Sequence, residues 1–118
     1  MEIESQREDR VLLLTVNAER IDAASAVQFK DQFREAVLPH PGRVLIDLRN
    51  VGFIDSSGLG ALVAARKIVS DRALELANLS EIVSRVFRLT RMEQVFTIHE
   101  DLRAGLKKSG AAPSPEDV

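Results

Sequence analysis

The chain has no cysteine, no tryptophan and no tyrosine, so its only aromatic residues are five phenylalanines. The absence of cysteine excludes disulfide bonds and metal sites built from thiolates. The two histidines, His40 and His99, are isolated from each other and do not suffice for a zinc site. His40 stands between two prolines, which predicts a solvated loop residue. The sequence therefore predicts neither a metal nor a cofactor.

The chain also lacks a surplus of positive charge and a long apolar run. Its 16 Lys and Arg residues are balanced by 18 Asp and Glu residues, so neither nucleic acid nor an anionic membrane is a predicted partner. No run approaches the roughly 18 apolar residues of a membrane-spanning helix, and the chain opens with acidic residues rather than a signal peptide. A cytoplasmic protein is expected. The domain is expected to span residues 1–108, followed by a disordered, proline-containing tail at 109–118.

Segments of strand character alternate with segments of helical character along the chain. Continuous apolar runs at 11–16 and 44–48 indicate strands that are buried on both faces. Asp22 stands where a helix would begin, and Pro39 and Pro41 would end that helix. Also predicted are an alternating strand at 73–77, a last strand at 95–98, at most a short edge strand before residue 10, and helices over 59–70, 80–90 and 100–108. This alternation predicts a single α/β domain with a mixed sheet of about five strands and about four helices.

The segment Asp55-Ser56-Ser57-Gly58 lies between the strand at 44–48 and the apolar helix predicted from about Leu59. The first turn of a helix carries unpaired N–H groups and the positive end of the helix dipole, which favours an anion there by roughly 0.3–1 kcal/mol. A serine at such a position can cap the helix through its hydroxyl, or it can be phosphorylated. Capping by Ser56 or Ser57 is the simpler interpretation.

Two features of this segment favour a functional role over capping alone. Gly58 and Gly60 each cost roughly 1 kcal/mol in a helix, which indicates that a partner or an enzyme has to approach the backbone closely. Two serines beside Asp55 are more than one cap requires. Asp55 itself is interpreted as a turn former or as an acceptor that orients the neighbouring hydroxyl.

Three enzymatic functions fit the sequence poorly. A serine hydrolase would need a Gly-x-Ser-x-Gly turn, but Ile54 and Asp55 occupy the glycine positions before the two serines. A dinucleotide-binding Gly-x-Gly-x-x-Gly loop would need a glycine in place of Val63. The Gly-x-x-x-x-Gly-Lys-Ser/Thr loop of nucleotide hydrolases does not occur in the chain. The protein is therefore predicted not to be an enzyme.

The sequence Asp55-Ser56-Ser57-Gly58-Leu59-Gly60, preceded by Val51-Gly52-Phe53-Ile54, resembles the signature of the STAS domain, specifically that of the bacterial anti-sigma factor antagonists. The similarity continues through residues 76–80, 83–90 and 95–101, so it covers nearly the whole chain. The chain departs from the family pattern at Arg91, which replaces a glycine. The resemblance implies a STAS fold in which the helix after Asp55 presents its first turn at the surface.

The resemblance implies that Ser56 is phosphorylated by a cognate anti-sigma factor, a serine kinase of the HATPase type, and that a phosphatase removes the phosphate. It also implies that Asp22 meets the kinase, in addition to capping the first helix. The predicted function is that of an anti-sigma factor antagonist whose unphosphorylated form binds the anti-sigma factor and frees its sigma factor. The residues predicted to contact the partner are Asp22, Asp55, Ser56, Ser57, Gly58 and Gly60.

Two alternative functions stay open. In the first, the protein is a STAS scaffold that does not switch, a subunit of a larger signalling or lipid-transport assembly, and the 55–58 segment only caps the helix. In the second, it is a small nucleotide-binding enzyme, which would bind a ligand without a protein partner. Phosphorylation of Ser56 with loss of a bound partner would distinguish the switch from both.

Overall fold

The computed structural model describes residues 1–72 and 74–110 of the chain. Strands and helices alternate along these residues, as the sequence predicts. The elements are β1 (Glu2–Glu8), β2 (Val11–Asn17), β3 (Arg20–Ile21), α1 (Ala23–Val37), β4 (Arg43–Asp47), β5 (Phe53–Ile54), α2 (Ser56–Ile68), β6 (Leu74–Ala77), α3 (Glu81–Leu89), a short 3-10 helix (Met92–Gln94), β7 (Thr97–His99) and α4 (Leu102–Gly110).

The central sheet has five strands in the order β1-β2-β4-β6-β7. β1 is antiparallel to β2, and the remaining neighbours are parallel, so the predicted mixed sheet of five strands is confirmed. β1 is longer than expected, because Glu2–Glu8 pairs with β2 along its whole length. Its polar sequence is typical of an edge strand, whose charged side chains discourage pairing with a second sheet.

Helices cover both faces of the central sheet. Phenylalanines and leucines of α1, α2 and α3 pack on one face against alternate residues of the strands, and these form the larger core. On the opposite face, Leu102 and Leu106 of α4 pack against a smaller cluster from β2, β4 and β6. β2 and β4 are therefore buried on both faces, which explains their continuous apolar sequences.

A second sheet consists only of β3 and β5, which pair in parallel. The backbone N–H groups of Gly52 and Phe53 donate to the carbonyl oxygen of Glu19 at 2.7 and 3.2 Å, which aligns the two strands. The sequence does not predict this sheet, because two residues per strand are too few to produce a periodic pattern. Its importance is positional, since α1 and α2 begin directly after β3 and β5.

The prediction of a solvated His40 is wrong. The side chain is buried, and its Nε2 lies 3.2 Å from the carbonyl oxygen of Arg43. The carbonyl oxygen of His40 accepts a hydrogen bond from the Arg72 guanidinium, so the turn between the two prolines is held against the domain. Proline restrains the backbone of this turn but does not determine whether its side chains face solvent.

β6 also differs from the alternating strand that the sequence predicts, because all its residues are buried. Glu75 is tolerated there because its carboxylate bonds to the Arg43 guanidinium and lies 2.6 Å from Nε2 of His99. A buried carboxylate is costly unless it is paired in this way. Both histidines therefore have defined structural partners that their sequence context does not reveal.

The C-terminal part of the domain departs from the predicted boundaries in two places. Residues 92–94 form the 3-10 helix, so the last strand begins at Thr97 rather than at residue 95. The preceding Arg91 has a φ of 63°, a left-handed conformation that a glycine adopts without steric cost. α4 extends to Gly110, past the predicted domain boundary at 108, and the rest of the predicted tail, 111–118, lies outside the described residues. No helix in the described part of the chain is long and apolar enough to cross a membrane.

Candidate functional site

Two aspartates lie side by side where β3 and β5 end. The register pairs Arg20 with Phe53 and Ile21 with Ile54, so the residues that follow, Asp22 and Asp55, are neighbours. The N–H of Asp55 donates to the carbonyl oxygen of Ile21 at 3.4 Å, which continues the pairing beyond the strands. Each aspartate precedes a helix, so the first turns of α1 and α2 meet at the same surface.

Asp22 caps α1, as the sequence predicts. Its Oδ1 accepts hydrogen bonds from the N–H groups of Ala24 and Ser25 at 3.1 and 3.3 Å. Ser25 returns the contact, because its Oγ accepts from the N–H of Asp22 at 3.1 Å. This reciprocal capping box satisfies N–H groups that the helix itself leaves unpaired. Oδ2 of Asp22 lies 3.9 Å from the Arg20 guanidinium instead.

Asp55, and neither serine, caps α2. Its Oδ1 accepts from the N–H of Gly58 at 2.9 Å, and its carbonyl accepts from the N–H of Leu59 at the same distance. Ser56 and Ser57 are therefore the first residues of the helix, and both are exposed. Their hydroxyls form no hydrogen bond with any residue that the structure describes. The simpler interpretation, in which a serine hydroxyl caps the helix, is wrong.

The cap assignment gives a stability prediction. We expect Asp55→Ala to lower the free energy of unfolding by about 1 kcal/mol, because the N–H of Gly58 loses its acceptor. Ser56→Ala and Ser57→Ala should change it by less than about 0.5 kcal/mol, as is usual for exposed residues without such a contact. Urea unfolding of the three variants and of Asp55→Asn, which keeps a capping oxygen, measures the difference. A loss for Ser56→Ala as large as that for Asp55→Ala would contradict the assignment.

The two glycines of the segment have different environments. Gly58 is buried, and a Cβ atom there would overlap the carbonyl oxygen of Ile21 and lie 2.7 Å from Cγ1 of Ile54. A Cβ atom at Gly60 would meet nothing within 4 Å. Packing within the domain therefore accounts for Gly58 without a partner, and the predicted contact between Gly58 and a partner stays a prediction. Gly60 is exposed, and nothing within the described residues requires it to be small.

Arg20 and Phe53 belong to this surface, although the sequence does not single them out. The Arg20 guanidinium lies over the Phe53 ring, 5.2 Å from its centroid. Phe53 is 41% exposed, whereas its neighbours Val51 and Ile54 are buried. The apolar run at 51–54 looks like core, and only the alternation of a strand between Phe53 and Ile54 could have indicated that the ring faces outward.

The arrangement suits modification and recognition better than catalysis. Ser56 has no histidine nearby to activate it. His40 follows the C-terminal end of α1, and the His99 side chain is hydrogen-bonded to Glu75 in the central sheet. No group of three side chains able to hold a metal ion occurs among the described residues. The surface offers an exposed hydroxyl at the positive end of a helix dipole. Two carboxylates and an exposed aromatic ring lie on the adjoining ends of β3 and β5.

Comparisons with known proteins agree on one family. The sequence model of the STAS domain family matches residues 2–105 of this chain. A STAS-domain containing protein of Pseudomonas aeruginosa is 35% identical over 67% of this chain and 79% of its own length. The anti-sigma-B factor antagonist of Listeria monocytogenes is 37% identical over 69% of this chain and 73% of its own length.

Solved structures agree with this assignment at the level of the fold. An anti-sigma-factor antagonist (STAS) domain protein from Planctomyces limnophilus superposes with a TM-score of 0.83 at 23% identity, over 91% of this chain and 97% of the other. A murine solute carrier anion transporter contains a similar domain, with a TM-score of 0.79 at 15% identity. It matches 90% of this chain but only 18% of the transporter. The same fold therefore occurs both as a small protein and as part of a much larger one.

Proposed function

Because the chain belongs to the STAS domain family, we propose that it is an anti-sigma factor antagonist that is switched by phosphorylation of Ser56. Its homologues include named antagonists of anti-sigma factors. The unphosphorylated protein binds an anti-sigma factor that is a HATPase-type serine kinase, and this binding frees a sigma factor. The kinase then phosphorylates Ser56 and the complex dissociates, and a phosphatase restores the first state. The protein acts by binding, in the cytoplasm with the sigma factor, and not as an enzyme.

The free hydroxyl of Ser56 is the observation that supports this proposal most directly. It is exposed at the first position of α2, and Asp55 has taken over the capping role. A kinase can therefore modify Ser56 without removing a bond that holds the helix. The added phosphate, with a charge of about -1.5 to -2, would lie at the positive end of the helix dipole, so the domain can remain folded.

The proposed contact surface surrounds this hydroxyl. Asp22 and Asp55 are partly exposed at the neighbouring strand ends, and Gly60 lies one turn further along the accessible side of α2. Gly58 contributes indirectly, since it holds the start of α2 against β3. The residues proposed to meet the partner are thus Asp22, Asp55, Ser56, Ser57 and Gly60, bordered by Arg20 and Phe53.

Phosphorylation by the partner tests the proposal. We expect the wild-type protein and Ser57→Ala each to gain one phosphate when incubated with ATP and a purified HATPase-type anti-sigma factor kinase from the same organism. Ser56→Ala should gain none, because the acceptor hydroxyl is missing. Intact mass and fragment-ion mapping measure the result, and Ser57→Ala controls for a general effect of changing the first turn. Phosphorylation of Ser56→Ala, or of Ser57 alone in the wild type, would contradict the assignment.

A scaffold that does not switch is the second candidate, and the transporter that contains the same fold favours it. In that case the protein would be a constant subunit of a larger signalling or lipid-transport assembly. Wild type, Ser56→Ala and Ser56→Asp would then all remain unmodified and bind the assembly equally. A kinase complex that forms with wild type and is lost with Ser56→Asp excludes it.

A further inference from the structure

Arg20 is held only weakly in its present position. Its Nη1 lies 3.9 Å from Oδ2 of Asp22, which is beyond hydrogen-bond distance, and its guanidinium rests on the exposed ring of Phe53. The side chain is 61% exposed. Exposed ion pairs and cation–π contacts of this kind contribute little, so the guanidinium can leave both partners at small cost.

Arg20 is also placed on the same face as the start of α2. Side chains alternate along a strand, so Arg20 and Asp22 point outward while Ile21 between them is buried. The same alternation on the paired strand turns Phe53 and Asp55 outward and Ile54 inward. Arg20 already extends toward Asp22, and the register places Asp22 beside Asp55, the residue that precedes Ser56.

We propose that Arg20 binds the phosphate of phosphorylated Ser56 and gives up its contacts with Phe53 and Asp22. A guanidinium binds phosphate through two parallel hydrogen bonds, which are stronger than its present contacts. The carboxylates of Asp22 and Asp55 already accept hydrogen bonds from the helix N–H groups. Arg20, 3.9 Å from Asp22, is a cation on this surface that can balance the new charge. The inference deepens the proposed function, because it names the residue that responds to the phosphate.

The proposal has a consequence for what a partner meets. In the unphosphorylated protein the guanidinium covers one side of the Phe53 ring. When Arg20 turns to the phosphate, that side of the ring becomes free and Asp22 loses its neighbouring cation. Phosphorylation would therefore change the surface at Ser56, at Asp22 and at Phe53 together. The kinase would therefore bind the surface of the unphosphorylated form, and the phosphatase would bind a surface that differs from it in more than the added phosphate.

The experiment places phosphoserine at position 56 by genetic encoding and follows it by NMR. The proteins compared are wild type, Arg20→Gln and a matched control, Arg34→Gln. Arg34 is also exposed and 3.7 Å from an aspartate, but it lies in the last turn of α1, away from the site. We expect the phosphorus titration midpoint to lie about half a pH unit higher in Arg20→Gln than in wild type, because a nearby cation favours the dianion. Arg34→Gln should match wild type.

A second signal separates binding from a general structural effect. The ring protons of Phe53 should shift on phosphorylation in wild type and in Arg34→Gln, and they should shift much less in Arg20→Gln, where no guanidinium leaves the ring. Equal titration midpoints in all three proteins, or Phe53 signals that do not respond in wild type, would overturn the proposal. Because the phosphoserine is encoded, this result does not depend on a kinase. A kinase that ignores Ser56 would refute the proposed function and leave the role of Arg20 decided by the NMR data.

Discussion

Gly58→Ala should destabilise the domain by about 2–3 kcal/mol, although alanine is the better helix former. A methyl group at this position would overlap the carbonyl oxygen of Ile21 and crowd Cγ1 of Ile54. The first obstacle is backbone in the β3–β5 pair, which cannot move aside as the end of a flexible side chain would. Relief requires α2 to shift away from β3, and such a shift would also separate Asp22 from Asp55.

Gly60→Ala is the matched control in the same helix turn. A methyl group there meets nothing within 4 Å, so we expect it to stabilise the domain by about 0.5–1 kcal/mol through helix propensity alone. Urea unfolding of both variants, followed by circular dichroism, gives the two free energies with opposite signs. If both glycines respond alike, the close approach of α2 to β3 is not what requires Gly58.

Local features of the fold could be predicted from the sequence because neighbouring residues produce them. Asp22 was predicted to begin the first helix, and its side chain accepts hydrogen bonds from the first turn of α1. The apolar runs of β2 and β4 predicted strands buried on both faces, and α4 supplies the second cover. Each of these signals lies within a few residues of the element that it predicts.

Features that depend on distant residues could not be predicted in this way. Glu75 is separated from Arg43 by 32 positions and from His99 by 24, so nothing in its neighbourhood shows that it is paired and buried. The sequence likewise gives no sign of the pairing between β3 and β5, or of the contact between Arg20 and Phe53 that depends on it. The sequence therefore predicts only part of the candidate site. The motif identifies the 55–58 segment, but the residues around that segment are known only once the strand pairing is known.

The division of roles between Asp55 and Ser56 connects the fold to the proposed switch. Asp55 holds the helix through Gly58, and Gly58 holds the helix against β3. The stability of the first turn therefore does not depend on the hydroxyl that the kinase would modify. A serine that capped the helix itself could not be phosphorylated without altering the cap, and the modification would then change folding and binding at once.

Phosphorylation of Ser56 should weaken the complex with the anti-sigma factor by more than a hundredfold, or about 3 kcal/mol. Asp22 and Asp55 already place negative charge at the proposed interface, and a partner that accepts them must tolerate about two further charges and the volume of a phosphate. Arg20 and the helix dipole balance part of this charge within the domain, so the unfolding midpoint should change little. The loss should therefore appear in binding and not in stability.

Phosphoserine encoded at position 56 or at position 70 provides the decisive comparison. Ser70 is exposed just beyond the last turn of α2, so the same charge is added to the same helix at its opposite end. Calorimetric titration with the purified anti-sigma factor should show the hundredfold loss for position 56 and a change within about twofold for position 70, since exposed charges farther apart than about 10 Å are largely screened. Equal losses at both positions would mean that net charge, and not the surface around Ser56, controls the partner. Tight binding by both would leave the constant scaffold as the function that fits.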